Sequence, residues 1–136
     1  MNACYLGLGA NQQVPERQLR IAIQSIKALP TTVVTKVSSF YWTKAWGLQN
    51  QQDFCNAVIE ITTLLSPLQL LNACQAIEKK QGRVRKKHWG PRMIDIDILL
   101  YGNRVIQSKK LVIPHPHIQS RDFVLIPLRE INPNYE

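Results

Sequence analysis

Apolar residues in this chain recur with two different periods, and the changes of period mark out its elements. Ala3–Leu8 is a short apolar strand, with Gly7 and Gly9 at its end. Leu19, Ala22, Ile23 and Ile26 then fall at helical spacing; Pro15 suits the first turn and Leu29-Pro30 stops the helix at Ala28. Thr32–Tyr41 is β-rich, with Val33, Val34, Val37, Phe40 and Tyr41 among threonines and serines. Trp42–Asp53 has no period and reads as a polar loop, of a length that is often functional. Phe54–Thr63 alternates: Cys55, Ala57, Ile59 and Ile61 on one face, Phe54, Asn56, Val58 and Glu60 on the other.

Ser66–Gln81 carries the plainest helix signals. Ser66 is the N-cap, Pro67 stands at N1, and Gln69 completes a capping box. Leu70, Leu71, Cys74 and Ile77 form the buried stripe, and Gly82 ends the helix. Met93–Tyr101 is a strand with Ile94, Ile96, Ile98 and Leu100 turned to the core. Gly102-Asn103 predicts a turn, after which Arg104–Ile106 returns as a short strand. Gln107–Pro116 reads as a loop; the tail Arg121–Glu136 holds an apolar run, Phe123–Leu128, then a short helical turn.

The order β-α-β-β-α-β predicts an α+β fold, a ferredoxin-like sandwich with an extra hairpin and a C-terminal tail. Helices cover one face of a mostly antiparallel sheet, and the other face is left for ligands. That fold hosts many functions and selects none.

A length of 136 residues suggests one domain, 1–136, and an apolar fraction of 45% is globular. No apolar run reaches the roughly 18–20 residues of a membrane span, and the N-terminus lacks the pattern of a signal peptide. Cys4, Cys55 and Cys74 are odd in number, far apart and set in apolar segments, which suits reduced core thiols of a cytoplasmic protein. His115 and His117 have no partner pair for zinc. The net charge of +8 suggests an anionic partner.

That charge is concentrated. From Lys79 to Arg92 there are seven basic residues and no acid. Immediately afterwards come Asp95 and Asp97, on one face of a strand and roughly 6–7 Å apart at Cα. Paired carboxylates can hold Mg²⁺ while a basic loop holds phosphates. Each half alone has a bland reading, as a half-exposed strand or a solvated surface. The joint pattern W-G-P-R-x-x-D-x-D points to a site. A single-stranded RNA-binding module is the rival, since ferredoxin-like sheets can present aromatic and basic residues to bases. Against it, no aromatic-rich strand appears, and the two acids would repel phosphates unless metal intervened. A nucleotide-binding regulator without turnover is a third reading, opposed by the presence of Arg92, Asp95 and Asp97 together.

Several separated motifs resemble those of the 6-hydroxymethyl-7,8-dihydropterin pyrophosphokinases of folate biosynthesis. They are Gly9–Asn11, Ser38–Tyr41, Phe54–Val58, Gly82–Arg85, Trp89–Arg92, Asp95–Asp97, Pro114–Pro116 and Arg121–Phe123, in family order. The resemblance implies transfer of pyrophosphate from ATP to the pterin hydroxymethyl group, giving AMP. It implies two Mg²⁺ ions on Asp95 and Asp97, with Arg83 and Arg92 completing the catalytic set. It assigns ATP contacts to Gln75, Glu78, Arg85, Trp89, Lys110, His115 and Arg121. Ile98 joins them through its backbone, because its side chain should face the core. Pterin contacts fall to Thr43, Phe54, Asn56, Trp89, Asp95 and Phe123. Trp42–Asp53 and Arg83–Pro91 are expected to close together over the substrates. A monomer is expected, with no nucleic-acid or membrane partner. Lys44 and Trp46 stand where many relatives have Pro and a smaller apolar residue, and Phe54 replaces a frequent Tyr.

Overall fold

The structure, a computed structural model, describes residues 2–44, 53–82 and 93–135. Along the chain run β1 (Asn2–Ala10), α1 (Pro15–Lys27), β2 (Thr32–Val37), β3 (Tyr41–Thr43) and β4 (Phe54–Thr63). Then come α2 (Pro67–Lys80), β5 (Asp95–Tyr101), β6 (Ile106–Gln107), β7 (Val112–Ile113) and α3 (Asp122–Ile131). The main sheet has the order β2-β4-β1-β5, with β3 added on β4. Each of its pairings is antiparallel. This is the ferredoxin-like arrangement that the element order predicts.

The helices α1 and α2 bury their apolar stripes on one face of that sheet. Leu19, Ala22, Ile23 and Ile26 of α1 meet Leu70, Cys74 and Ile77 of α2 over Leu6, Leu8, Ile59, Ile61, Ile96 and Ile98. Each fully buried Leu or Ile is worth about 1.5–3 kcal/mol, so this layer dominates the stability. The start of α2 is fixed as its sequence predicts: Gln69 N–H donates to Ser66 Oγ (3.2 Å) and Ser66 N–H donates to Gln69 Oε1 (2.8 Å). Cys4, Cys55 and Cys74 are buried and free. Burial pushes the Cys4 and Cys74 thiols up to about 12, so neither is a ready nucleophile.

Four expectations are corrected. First, the second sheet face is not wholly open, because α3 packs on it. Val58 and Leu99 are buried there beneath Leu128 and Ile131. The apolar run Phe123–Leu128 is itself part of the helix α3. The sequence left that run unassigned; its apolar residues satisfy a helical period against a partner face that local spacing cannot report. Second, Leu100 does not continue the core face of Ile96 and Ile98. Leu6 pairs with Ile98 but Tyr5 pairs with Leu100, so Leu99 is an extra, bulged residue. The bulge moves Leu99 and Leu100 to the α3 side and gives the core position beside Cys4 to Tyr101.

Third, Arg104–Ile106 does not return along β5. Ile106 and Gln107 pair instead with Ile113 and Val112. Ser108 closes this hairpin, its N–H donating to the Leu111 carbonyl (3.0 Å) while its Oγ accepts the Leu111 N–H (3.2 Å). Fourth, the β-rich stretch Thr32–Tyr41 is two strands, broken at Ser38–Phe40. Glu130 of α3 holds the break: its carboxylate accepts Ser39 N–H (3.0 Å), Ser39 Oγ–H (2.8 Å) and the Tyr41 hydroxyl (2.6 Å).

Chiefly through the Tyr41 hydroxyl, the Glu130 carboxyl is held below its ordinary range. A depressed carboxyl stabilises the fold above its ordinary pKa, and that stability is lost as pH falls through the folded value. Glu130→Gln is therefore expected to lower stability at neutral pH by about 1 kcal/mol or less, since the site is exposed and screened. Urea titrations from pH 7 downward should show the gap to wild type closing once pH drops below 4.5. A gap independent of pH would show that the charge plays no part.

Candidate active site

The site grows from the alternation of three adjacent strands. On the face away from α1 and α2, Gly9 of the central strand pairs with Asn56 of β4 on one side. On its other side it pairs with Asp95 of β5. The next row on that face is Val58, Gly7 and Asp97. Both acids thus project from the same side of the sheet as Asn56. Two strand spacings separate the amide from Asp95, about 10 Å.

The two glycines differ. A Cβ on Gly7 would rest against the Leu99 side chain at 3.5–3.7 Å, under the apolar layer of α3. A Cβ on Gly9 would stand 3.1 Å from Asn56 Oδ1. The polar slot therefore lies at the Gly9 end of β1.

Asn56 is buried and its amide is held from β3. Nδ2 donates to Thr43 Oγ1 at 2.9 Å and lies 3.4 Å from the carbonyls of Tyr41 and Phe54. Thr43 pairs with Phe54, which is half-buried. Phe123 is half-buried in the first turn of α3, with the Arg121 guanidinium over its ring at 5.8 Å.

The acids sit on an edge strand, where outward amides have no strand partner. Glu78 of α2 supplies one. It is only 8% exposed, and its Oε2 accepts the Ile96 N–H at 2.8 Å. Ile96 lies between Asp95 and Asp97, so this bond ties the two-acid segment to the helix layer. Glu78 is thus a buried anchor for β5. Asp95 is half-buried and Asp97 exposed.

The bulge at Leu99 brings in the segment after β7. His115 N–H donates to the Leu99 carbonyl at 2.9 Å. His115 Nδ1 accepts the His117 N–H at 3.1 Å, which leaves the proton of the neutral ring on Nε2. Burial pushes the His115 pKa below its ordinary value; Asp97 opposes that shift and Arg121 adds to it. His115 is therefore a neutral Nε2–H donor beside Asp97 at neutral pH.

Of the expected residues, Thr43, Phe54, Asn56, Asp95 and Asp97 come together on one sheet face, with His115 and Arg121 at its edge. The Ile98 side chain is 4% exposed in the helix-side core, as anticipated. Gln75 is exposed on α2, and Lys110 is exposed in the turn between β6 and β7. Arg83, Arg85, Trp89 and Arg92 lie outside the described residues, as do the expected loop movements. Sequence reasoning did not find the role of Gly9. The available signal was glycine at alternate positions inside an apolar strand, which marks close approach of another group. The Ser39–Tyr41–Glu130 cluster left no such signal, because its partners are about 90 residues apart.

Two oxygen-donor side chains at alternate strand positions suit a hard divalent cation shared with a ligand's phosphates. Among the described residues no group of three or more His, Cys, Asp or Glu could hold a metal by itself. Fold and site together define the class: a ferredoxin-like domain with a polar slot on one sheet face, flanked by two acids on the edge strand. The particular family follows from comparison with known proteins. Residues 5–133 match the family model described as 7,8-dihydro-6-hydroxymethylpterin-pyrophosphokinase (HPPK), and the chain belongs to that family.

Among curated relatives, a 2-amino-4-hydroxy-6-hydroxymethyldihydropteridine pyrophosphokinase of Haemophilus influenzae is 49% identical over 131 residues, covering 96% of this chain and 82% of that protein. One of the same name from Aquifex aeolicus is 44% identical over 135 residues, covering 98% of this chain and 82% of that one. Among solved structures, Plasmodium falciparum HPPK-DHPS with pteroate superposes with a TM-score of 0.77 at 15% identity, covering 99% of this chain and 39% of that one. The chain thus spans about two fifths of that longer protein, and at this identity the likeness concerns the fold alone.

Removing the Glu78 carboxylate strands a buried backbone N–H. Glu78→Ala is expected to cost about 1–3 kcal/mol in urea unfolding, and Glu78→Gln, which keeps an acceptor, to recover most of it. Equal stability of wild type and Glu78→Ala would mean that the bond to Ile96 does not anchor the strand.

Proposed function

We infer that this chain transfers a pyrophosphoryl group from ATP to the hydroxyl of 6-hydroxymethyl-7,8-dihydropterin, releasing AMP, in folate biosynthesis. The hydroxymethyl oxygen attacks the β-phosphorus and loses its proton. The bond from that phosphorus to the α–β bridging oxygen breaks, and AMP carries the oxygen away. The observation that carries the reading is the cross-strand row Asn56–Gly9–Asp95. It sets an amide suited to a heterocycle's edge across the slot from carboxylates suited to a cation-bound triphosphate. Family membership supplies the reaction.

Each residue's role in this reading is the one the family resemblance implies, and its chemistry suits that role. Asn56 orients the pterin, with Thr43 steadying the amide and Phe54 and Phe123 offering aromatic faces. Asp95 and Asp97 are the residues to hold magnesium, as two ions. The ions would supply charge neutralisation for the phosphates and for the attacking and leaving oxygens. Glu78 keeps the acids in register with the helix layer. His115, as a neutral donor, and Arg121, as a fixed cation, suit phosphate oxygens, and Gln75, Lys110 and the Ile98 backbone suit the nucleotide. Arg83, Arg85 and Arg92 add cationic forks that can pair bidentately with phosphate, and Trp89 a cover over the bound substrates. Closure of the Trp89 loop and the Trp42–Asp53 loop would exclude water and so protect ATP from hydrolysis. Residues 1–136 act as one pyrophosphokinase domain, monomeric and cytoplasmic, with no nucleic-acid partner. No helix among the described residues is long and apolar enough to cross a membrane.

The deciding assay incubates the protein with ATP, Mg²⁺ and the pterin and separates AMP from ADP. AMP that forms only with the pterin present is expected. ADP would overturn attack at the β-phosphorus, and salt-sensitive RNA binding without turnover would favour the nucleic-acid reading. Asp95→Asn and Asp97→Asn should each cost about 100-fold or more in kcat. Their unfolding midpoints should stay near wild type, because Asp97 is exposed and Asp95 only half-buried. Retained turnover in the double variant would sink the metal-binding assignment.

A further inference from the structure

We propose that Gly9 is a specificity-determining position for the heterocycle. Its lack of a side chain lets the Asn56 carbonyl oxygen lie over the central strand, where it accepts a hydrogen bond from the ring. The proposal rests on the pterin reading of the same site.

The orientation of Asn56 follows from its neighbours. The Tyr41 and Phe54 carbonyls can only accept hydrogen bonds, so the amide nitrogen must be the atom turned towards β3. Thr43 Oγ1 holds that nitrogen at 2.9 Å. The remaining polar atom, Oδ1, is then the one on the Gly9 side, 3.1 Å from where a Cβ would stand. That separation is shorter than an ordinary van der Waals contact, so any side chain at position 9 must displace the oxygen. Asn56 has little room to yield. It is 4% exposed, tied to β3 through Nδ2, and paired through its backbone with Gly9 itself.

Gly7 is the internal contrast. It stands two residues earlier on the same face of the same strand. The nearest atoms to a Cβ there belong to the Leu99 side chain, at the ordinary distance of 3.5–3.7 Å. A general need for glycine in β1 would constrain both positions equally, whereas the geometry constrains only Gly9. The chemistry then selects the ligand. A carbonyl oxygen set over the strand reads an N–H donor, which the amino-pyrimidinone edge of a pterin provides. A heterocycle presenting a lone pair there leaves Oδ1 opposed by an acceptor and is rejected.

The test compares wild type with Gly7→Ala, Gly9→Ala, Asn56→Ala and the Gly9→Ala/Asn56→Ala double variant. AMP formation gives KM for pterin and for ATP. Titration calorimetry gives pterin affinity without need of turnover. Gly9→Ala is expected to weaken pterin binding about tenfold, the worth of one misplaced hydrogen bond. Its KM for ATP should stay at the wild-type value, and Gly7→Ala should change neither constant. In the Asn56→Ala background the added Gly9→Ala change should have less than about twofold effect, because the displaced oxygen is already absent. Unchanged pterin affinity in Gly9→Ala overturns the proposal, and so does a full tenfold effect that persists without Asn56. If Gly9→Ala does not fold, Thr43→Val serves instead. It removes the acceptor that holds Nδ2 and should raise pterin KM several-fold; an unchanged KM overturns the proposal equally. Wild-type protein that makes no AMP would refute the reaction, whereas wild-type turnover with an indifferent Gly9→Ala would refute only the role of Gly9.

Discussion

The rest of the structure depends on the pairing of β1 between β4 and β5. That strand is buried at alternate positions, from Cys4 to Ala10, against both long helices. Its other alternate positions, Tyr5, Gly7 and Gly9, face away from them. Because side chains alternate strictly along a strand, burial of one set fixes the direction of the other. A slip of one residue would drive Leu6 and Leu8 outward and turn the glycines into the core. The hydrophobic layer and the strand pairing together therefore align Asn56, Gly9 and Asp95.

Polar contacts then refine what the core aligns. β5 is an edge strand, and two devices secure its outer side. Glu78 accepts the Ile96 amide from the helix layer, and the bulged Leu99 offers its carbonyl to His115. Both fall within the strand that carries the acids. On the opposite side of the slot, Glu130 fastens β3 to α3, and β3 in turn holds the Asn56 amide through Thr43. The site is thus braced from both sides by carboxylates that need not touch a substrate. That arrangement limits the motion of the reading groups, which is what positioning for an in-line transfer requires.

Much of this was legible in the sequence because it is local. Ser66, Pro67 and Gln69 announce α2, and the structure closes that capping box as expected. The alternation of Phe54–Thr63 gives β4 its bounds to the residue. Asp95 and Asp97 share a face for the same reason. What was missed depends on partners distant in the chain. Leu100 follows the core period by sequence alone, yet pairing with Tyr5 turns it away. Phe123–Leu128 becomes helix because Val58 and Leu99 offer it a surface.

By itself the sequence determined the β-α-β-β-α-β order of the main elements, the two faces of β4 and of β5 as far as Ile98, the capping box of α2 and the residue types suited to phosphate, cation and heterocycle. Each of these rests on spacing within a few residues, where backbone geometry alone decides. Only the tertiary structure decided that Gly9 stands between Asn56 and Asp95, and that Glu78 is buried beneath the acids. It also decided which side of the Asn56 amide faces the slot. Those facts arise chiefly from hydrogen-bond partners and strand neighbours distant in the chain, which no local period encodes.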